Sequence, residues 1–318
     1  MTLSALLVGY LLDLWLGDPP HWPHPVRWMG GAITGIQRVI RRGCHSQRAL
    51  YFGGGVLWVV VVGGTWLSIS VLMDILSFNS FLTWLAQAWL TYTLLATRSL
   101  RDAAMAVYYA LRSDSLEASR QQLSYIVGRD TQNLSRPQIM RAVVETVAEN
   151  TVDGVIAPLF WLFIGGVPLA MAYKAVNTLD SMVGYRTPQY QAIGCVSARM
   201  DDLANCLPAR LGWVVLALAA GVLGLDGRNA WRIGWRDRYQ HKSPNCAWSE
   251  ATVAGALGIR LGGPNTYFNQ RVEKPWIGEA RRDIVLDDIT ASIRLMYVAS
   301  ALTLVVMCLF TGSVVGIV

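Results

Sequence analysis

Apolar positions along this chain gather into runs of bilayer length instead of alternating with polar ones. Residues 51–76 and 78–97 form two such runs, parted at 77–80, and residues 155–172, 207–225 and 295–318 form three more. Each approaches the roughly 20 residues a helix needs to cross a bilayer. A shorter run, residues 3–17, carries Asp13 and has neither a basic leader nor a small-residue cleavage site. It therefore predicts a short membrane-inserted helix, not a signal peptide. The pattern predicts an all-α, polytopic integral membrane protein with about five transmembrane helices and this short N-terminal one. No internal repeat or low-complexity tract divides the chain, so residues 1–318 read as one integral domain with helical cytoplasmic excursions.

The polar exceptions lie beside these runs. Glu145, Glu149 and Asp153 follow an i, i+4, i+8 spacing, which places them on one helical face running into the third apolar run. Lys174, Asn177 and Ser181 share a second face, with Asp180 to one side, and Asp201 stacks over Asn205 on a third. Ionisable groups at membrane depth are expensive and usually serve transport or chemistry. Three such faces suggest a site for a cation and an anionic substrate. An oxygen-only set suits Mg²⁺, which takes one or two carboxylates plus substrate phosphates. Glu149 and Asp153 are the expected core of that centre, with Glu145 as a third acid and Asp180, Asp201 or Asp202 opposite. The bland alternatives are a solvated helix face for the acids and an interfacial anchor for Lys174.

Breakers set the limits of the elements. Four prolines in residues 19–25 forbid a helix there, and the helical pattern resumes over 28–41. Soluble helices are expected at 98–113 and 115–127. Ser135 and Pro137 signal the start of the helix that carries the acids. Pro158, Gly165, Gly166 and Pro168 interrupt the third apolar run, predicting a broken or re-entrant segment that lines a cavity. Ser243-Pro244-Asn245 should break one helix and Gly262-Gly263-Pro264 end another.

Charge then supplies topology. Of 27 basic residues only three, Lys174, Lys242 and Lys274, are lysines, and the formal net charge is +6. The arginines concentrate in residues 17–50, 98–154 and 227–292, which the positive-inside rule assigns to the cytoplasm. Arginine also grips carboxylates and phosphates with two prongs. Five cysteines without Cys-x-x-Cys spacing argue against a disulfide framework or zinc site. There is no P-loop and no His-Glu-x-x-His helix. The arginines and tryptophans at 231–238 fit membrane anchoring better than nucleic acid.

Taken together, the blocks Gly17-Asp18-Pro19 with His24-Pro25-Val26, Glu145-x3-Glu149-Asn150-x2-Asp153-Gly154, Tyr173-Lys174-x2-Asn177-Thr178-x-Asp180-Ser181, Arg199-x-Asp201-Asp202-x2-Asn205 and Ser243-Pro244-Asn245 through Glu250 to Leu261-Gly262-Gly263 carry a resemblance. In that order they resemble the adenosylcobinamide-phosphate synthase family of cobalamin biosynthesis, in the form found in enteric bacteria. The match runs nearly end to end.

The resemblance implies an amide-forming ligase. It would join (R)-1-amino-2-propanol O-2-phosphate, or aminopropanol, to the f-side propionate of adenosylcobyric acid, with ATP and Mg²⁺. Adenosylcobyric acid, aminopropanol phosphate and the lipid bilayer are then the expected partners, with no nucleic acid. A homo-oligomer or an association with other corrinoid-pathway enzymes is left open. On this reading Lys174, Asp180, Arg199 and Glu145 are catalytic. Asp18, His24, Arg27, Asn150, Asn177, Ser181, Asn205, Asn245 and Glu250 bind substrate, and Glu149, Asp153, Asp201 and Asp202 hold metal. The site would face the cytoplasm from the bacterial inner membrane. Two other classes compete: a Mg²⁺-dependent membrane prenyl- or alcohol-phosphate transferase, and a corrinoid-binding membrane protein without catalysis. The Asp-x-x-Asp-Gly-x-x-Ala-Arg pattern of alcohol-phosphate transferases is absent, since Val155-Ile156-Ala157-Pro158 follows Gly154.

Overall fold

A computed structural model of the chain describes residues 1–19, 21–185, 187–267 and 270–315. Pro20 of the proline-rich turn and residues 316–318 of the last apolar run lie outside the described residues. Helices dominate. In chain order they are α1 (Leu3–Leu16), α2 (Pro25–Gly43), α3 (Gln47–Trp58), α4 (Gly64–Leu76), α5 (Ser80–Leu94), α6 (Thr97–Arg112) and α7 (Leu116–Ser124). There follow α8 (Arg136–Thr151), α9 (Ala157–Val183), α10 (Cys195–Ala204), α11 (Cys206–Val222), α12 (Gly227–Asp237), α13 (Cys246–Leu257) and α14 (Asp287–Val315). Single π-turns, Val59–Gly63 and Val152–Ile156, join α3 to α4 and α8 to α9. Two small antiparallel ladders complete the described fold. One pairs β1 (Arg260–Gly262) with β4 (Trp276–Gly278), and the other pairs β2 (Asn265–Tyr267) with β3 (Gln270–Val272).

Local chemistry sets the helix ends. Pro25 opens α2 at the first helical position, where its missing N–H costs nothing. Asn79 caps α5 by accepting from the N–H groups of Phe81 and Leu82 at 3.0 and 3.2 Å. Gln138 accepts from the N–H and hydroxyl of Ser135 at 2.8 and 2.9 Å, fixing the start of α8. The expected helix end at Gly262-Gly263-Pro264 is corrected. Gly258, at φ 65 and ψ 31, closes α13 instead, in a left-handed turn that suits a residue without Cβ. Gly262 belongs to β1.

Among the described residues three helices have the length and apolarity to cross a membrane: Gln47–Leu76, Arg136–Val183 and Asp287–Phe310. The pair α10 and α11, bent by 46°, makes a fourth if it is one span. The run at 78–97 becomes α5, only 15 residues long, because Leu95 turns to extended backbone. Only 17% of the apolar window of Gln47–Leu76 is buried, and Phe52, Val59 and Ile75 stand 60% or more exposed. An apolar surface of that length belongs against lipid. This is a helical membrane protein.

Inside Arg136–Val183 the helix breaks at Gly165 and Gly166, the latter at φ 65 and ψ −163. That backbone is closed to residues with a Cβ, and Pro168 withholds the next N–H. The interruption predicted from the glycines and prolines is therefore present.

The described residues pack into two compact units, each made of two stretches of chain: Met1–Ala96 with Ala157–Asn205, and Thr97–Ile156 with Cys206–Val318. In the first, α9 packs on α2, α4, α5 and α10. In the second, α13 is the central helix, buried from Ala247 to Leu257 and packed by α8, α11, α12 and α14. Each unit carries its own polar cluster.

Candidate active site and family

In the second unit Glu145 and Glu149 lie one turn apart on α8, with Arg141 one turn earlier, and Asp153 lies beyond the end of that helix. The π-turn Val152–Ile156 begins just before Asp153. Such a turn adds a residue to the helical register and is frequent at functional sites.

The acids meet different surroundings. Glu145 is held at both oxygens. It accepts from the Arg129 guanidinium and, at 2.7 Å, from the N–H of Gly262 on β1. Both side chains of this ion pair are 9% exposed. Arg129 in turn donates to Asn265 Oδ1 at 2.6 Å. Glu145 thus ties α8 to the strand region. Glu149 accepts from the Cys246 thiol at 3.1 Å and, among the described residues, forms no ion pair. Asp153, half-buried, follows four residues on.

Across from them, α13 brings Cys246 and Glu250. Burial, then the Glu149, Asp153 and Glu250 carboxylates, push the Cys246 thiol well above its ordinary value. Burial, then Glu145 and Glu149, push the Glu250 carboxyl well above the glutamate range. Burial also lowers the pKa of His241, and the positive charge of Lys274 adds to that shift. Glu145, His241, Glu250 and Lys274 border a cavity of about 20 Å³, room for one water. Asn245 has a tethering position. Its Oδ1 accepts from Arg210 at 2.8 Å, and Arg210 also reaches the Cys206 carbonyl at 2.7 Å. Asn150 donates to the Thr146 carbonyl of its own helix at 2.9 Å.

In the first unit, the second and third polar faces meet. The Tyr173 hydroxyl donates to Asn205 Oδ1 at 2.9 Å, and Asn205 Nδ2 donates to Asp201 Oδ2 at 3.0 Å. Asn177 Nδ2 lies 3.4 Å from the other Asp201 oxygen. Lys174, Asp180 and Asp202 are half-buried, whereas Ser181 and Arg199 are exposed. Gly184 follows Asp180 so closely that a Cβ there would sit 1.9 Å from Asp180 Oδ1. Near the N-terminus, His24 and Asp18 pair at 3.1 Å. Arg27 donates to the carbonyls of Trp22 and Pro19 at 2.8 and 2.9 Å, so it holds the proline turn together.

Among the described residues no group of three or more His, Cys, Asp or Glu is placed to hold a metal. The expected ligands divide between the units, Glu149 and Asp153 in the second, Asp180, Asp201 and Asp202 in the first. Two half-buried carboxylates a turn apart still suit Mg²⁺, which completes its shell with water and phosphate. Arg129, Arg141, Tyr173, His241, Cys246 and Lys274 were given no site role by sequence reasoning. The i−4 position of Arg141 and the adjacency of Tyr173 to Lys174 were legible signals; the others had none.

A helical membrane protein with buried acids beside apolar spans is a broad class, and comparison with known proteins narrows it. The pattern of the family described as CobD/Cbib protein matches residues 6–296. The chain is 66% identical over 318 residues to the cobalamin biosynthesis protein CobD of Yersinia enterocolitica, covering 100% of each. It is 64% identical to the CobD of Photorhabdus laumondii over 99% of each chain. It is 62% identical to the cobalamin biosynthesis protein CbiB of Salmonella typhimurium over 96% of each. The chain belongs to the CobD/Cbib family. No solved structure matches it.

Proposed function

We propose that this protein is an amide-forming ligase of cobalamin biosynthesis. A part in that pathway follows from the family; the reaction is our reading. It joins the amine of (R)-1-amino-2-propanol O-2-phosphate to the f-side propionate of adenosylcobyric acid, giving adenosylcobinamide phosphate. The match over residues 6–296 is the observation that supports it most.

The chemistry explains the polar architecture. A carboxylate resists amines until one oxygen becomes a leaving group. Transfer of the γ-phosphoryl group of ATP to the propionate would give an acyl phosphate and ADP. Attack by the amine then forms the C–N bond and releases phosphate, and the amine loses a proton. All three reactants are anionic, so their encounter needs positive charge and fixed geometry.

Mg²⁺ bound by Glu149 and Asp153 would neutralise phosphoryl charge and orient it. Glu145, held by Arg129, positions α8 against β1. Lys174 and Arg199, with Asn177, Asp180, Ser181 and Asn205, are assigned to substrate anions, and Asp18 and His24 to corrinoid contact. The working face is assigned to the cytoplasmic side of the inner membrane.

The test is product formation. Purified protein in lipid nanodiscs is given adenosylcobyric acid, aminopropanol phosphate, ATP and Mg²⁺, and corrinoids are separated by chromatography. Amide product requiring all four supports the ligase. Corrinoid binding without product would favour a binding protein, and phosphoryl transfer to an alcohol would favour a transferase. Glu149→Gln and Asp153→Asn should each lower turnover strongly and raise the Mg²⁺ needed. Unchanged titrations in both would place the metal elsewhere.

A further inference from the structure

The second unit holds another cavity, of about 490 Å³, that none of these roles uses. Ser135, Gln138, Arg141, Asn265 and Trp276 line it, and none of the lining residues is acidic. The Arg141 guanidinium lies 4.7 Å from the centroid of the Trp276 ring. That of Arg260 lies 3.9 Å from the same centroid. Two cations therefore share one indole. For Arg141, burial and the neighbouring Arg260 both work against its charge. Among the described residues neither pairs with a carboxylate, and Arg141 Nε is buried without an acceptor. Glu145, the acid nearest along α8, is engaged directly by Arg129 and acts on Arg141 through space alone.

Further donors surround the same space. The Gln138 carbonyl oxygen is taken by Ser135, which leaves its amide N–H groups for another acceptor. The first turn of α8 adds backbone N–H groups without helical partners and the positive end of the helix dipole. Guanidinium pairs with no carboxylate of their own match the geometry of a phosphoryl group. The volume falls among organic-ligand pockets and exceeds what one phosphate needs.

We propose that this cavity binds the phosphoryl group of an organic phosphate, with Arg141 and Gln138 as donors from its lining and Arg260, which shares the Trp276 ring from outside that lining, as a second cation. The same chemistry is offered by a nucleotide and by a phosphorylated amino alcohol. Naming either as a substrate rests on the ligase reading; binding itself does not.

Equilibrium binding to the full-length protein in detergent separates the sources. The probes are a non-hydrolysable ATP analogue and aminopropanol phosphate, with unphosphorylated aminopropanol as control. One phosphorylated probe should bind the wild type, and Arg260→Met should weaken it about tenfold without moving the control. Arg141→Lys, which keeps charge but loses the fork, should fall between. Because Arg260 is exposed, its replacement tests the site even where Arg141→Met fails to fold. Equal affinity of wild type and Arg260→Met for both probes, or no binding of either by the wild type, overturns the site. Amide synthesis with an unaffected KM in Arg260→Met would sink the site and spare the ligase. A tenfold binding loss with no amide product from the wild type would do the reverse.

Discussion

Removing Arg129 should destabilise the second unit far more than removing Arg129 and Glu145 together. Both side chains are 9% exposed, and Glu145 would keep only the Gly262 N–H as a strong donor. Stranding one buried charge costs about 3–5 kcal/mol, whereas replacing a whole buried pair by apolar groups of similar size is often near neutral. At about 2–4 °C per kcal/mol, Arg129→Met should lower the apparent melting temperature by roughly 6–20 °C. The double variant Arg129→Met, Glu145→Met should recover more than half of that loss. The assay is thermal unfolding in detergent across the four-member cycle, with amide formation measured on each variant. An Arg129→Met loss below about 1 kcal/mol would mean a solvated pair, and the tethering role would fall. The same cycle separates two roles for Glu145. A tether predicts activity that declines with stability, whereas a catalytic acid or metal ligand predicts a dead Glu145→Gln that melts like wild type.

Three other outcomes follow from single contacts. The Glu250 carboxyl titrates higher in the folded protein than in the unfolded chain, so the folded state is favoured while it is protonated. That advantage fades as pH rises from the ordinary glutamate range through the raised value. Glu250→Gln cannot ionise and should raise the melting temperature in EDTA at pH 8 but not at pH 4.5; parallel pH profiles would refute the assignment. Gly184→Ala places a Cβ 1.9 Å from Asp180 Oδ1 and 2.7 Å from the Asp180 carbonyl. It should cost about 1–3 kcal/mol by unfolding and displace the Asp180 face, and wild-type turnover would remove Asp180 from the site. Tyr173→Phe leaves the oxygen of Asn205, itself 2% exposed, without its donor. A loss of about 1–3 kcal/mol is expected, and an unchanged melting temperature would show the network to be dispensable.

How far these features were legible in the sequence depends on the distance over which each is encoded. The spans follow from hydropathy, a local sum. The start of α8 follows from Ser135 and Pro137, and the break inside Arg136–Val183 from Gly165, Gly166 and Pro168. The pairing of Asp201 with Asn205 follows from helical spacing alone. What escaped depends on non-local contact or on very short elements. β1 and β4 have three residues each, too few for periodicity to register. Yet their ladder carries the Gly262 N–H to Glu145 and brings Trp276 beside Arg141. Nothing in the local pattern announces Arg129 as the partner of Glu145 or Cys246 as the donor to Glu149. The end of α13 was misassigned because several glycines follow it closely, and only backbone geometry selects Gly258 over Gly262 and Gly263.

The spacing of charge in the second unit is an argument for ligands in its own right. Arg141, Glu145, Glu149 and Asp153 occupy successive turns, where arginine and glutamate could pair along the helix. The fold does otherwise. It neutralises Glu145 with Arg129, a residue from outside the helix. It leaves Arg141 and Arg260 on one indole, sets Glu149 beside the Cys246 thiol, and holds Glu250 near Glu145 and Glu149 with Lys274 and Arg129 offsetting only part of the repulsion. Like charges held together cost stability that pairing would have recovered, most where, as at Glu250, the group is buried. A protein selected for stability alone would gain by exchanging partners. The arrangement makes sense when the missing charges arrive with ligands, a cation at Glu149 and Asp153 and a phosphoryl group at Arg141 and Arg260. Binding would then supply part of the stability that this arrangement of like charges forgoes. Adding Mg²⁺ and a phosphorylated probe together should therefore raise the melting temperature more than the sum of each alone, if both sites serve one bound substrate. Strict additivity would mean two independent sites, and the single-substrate argument would fail.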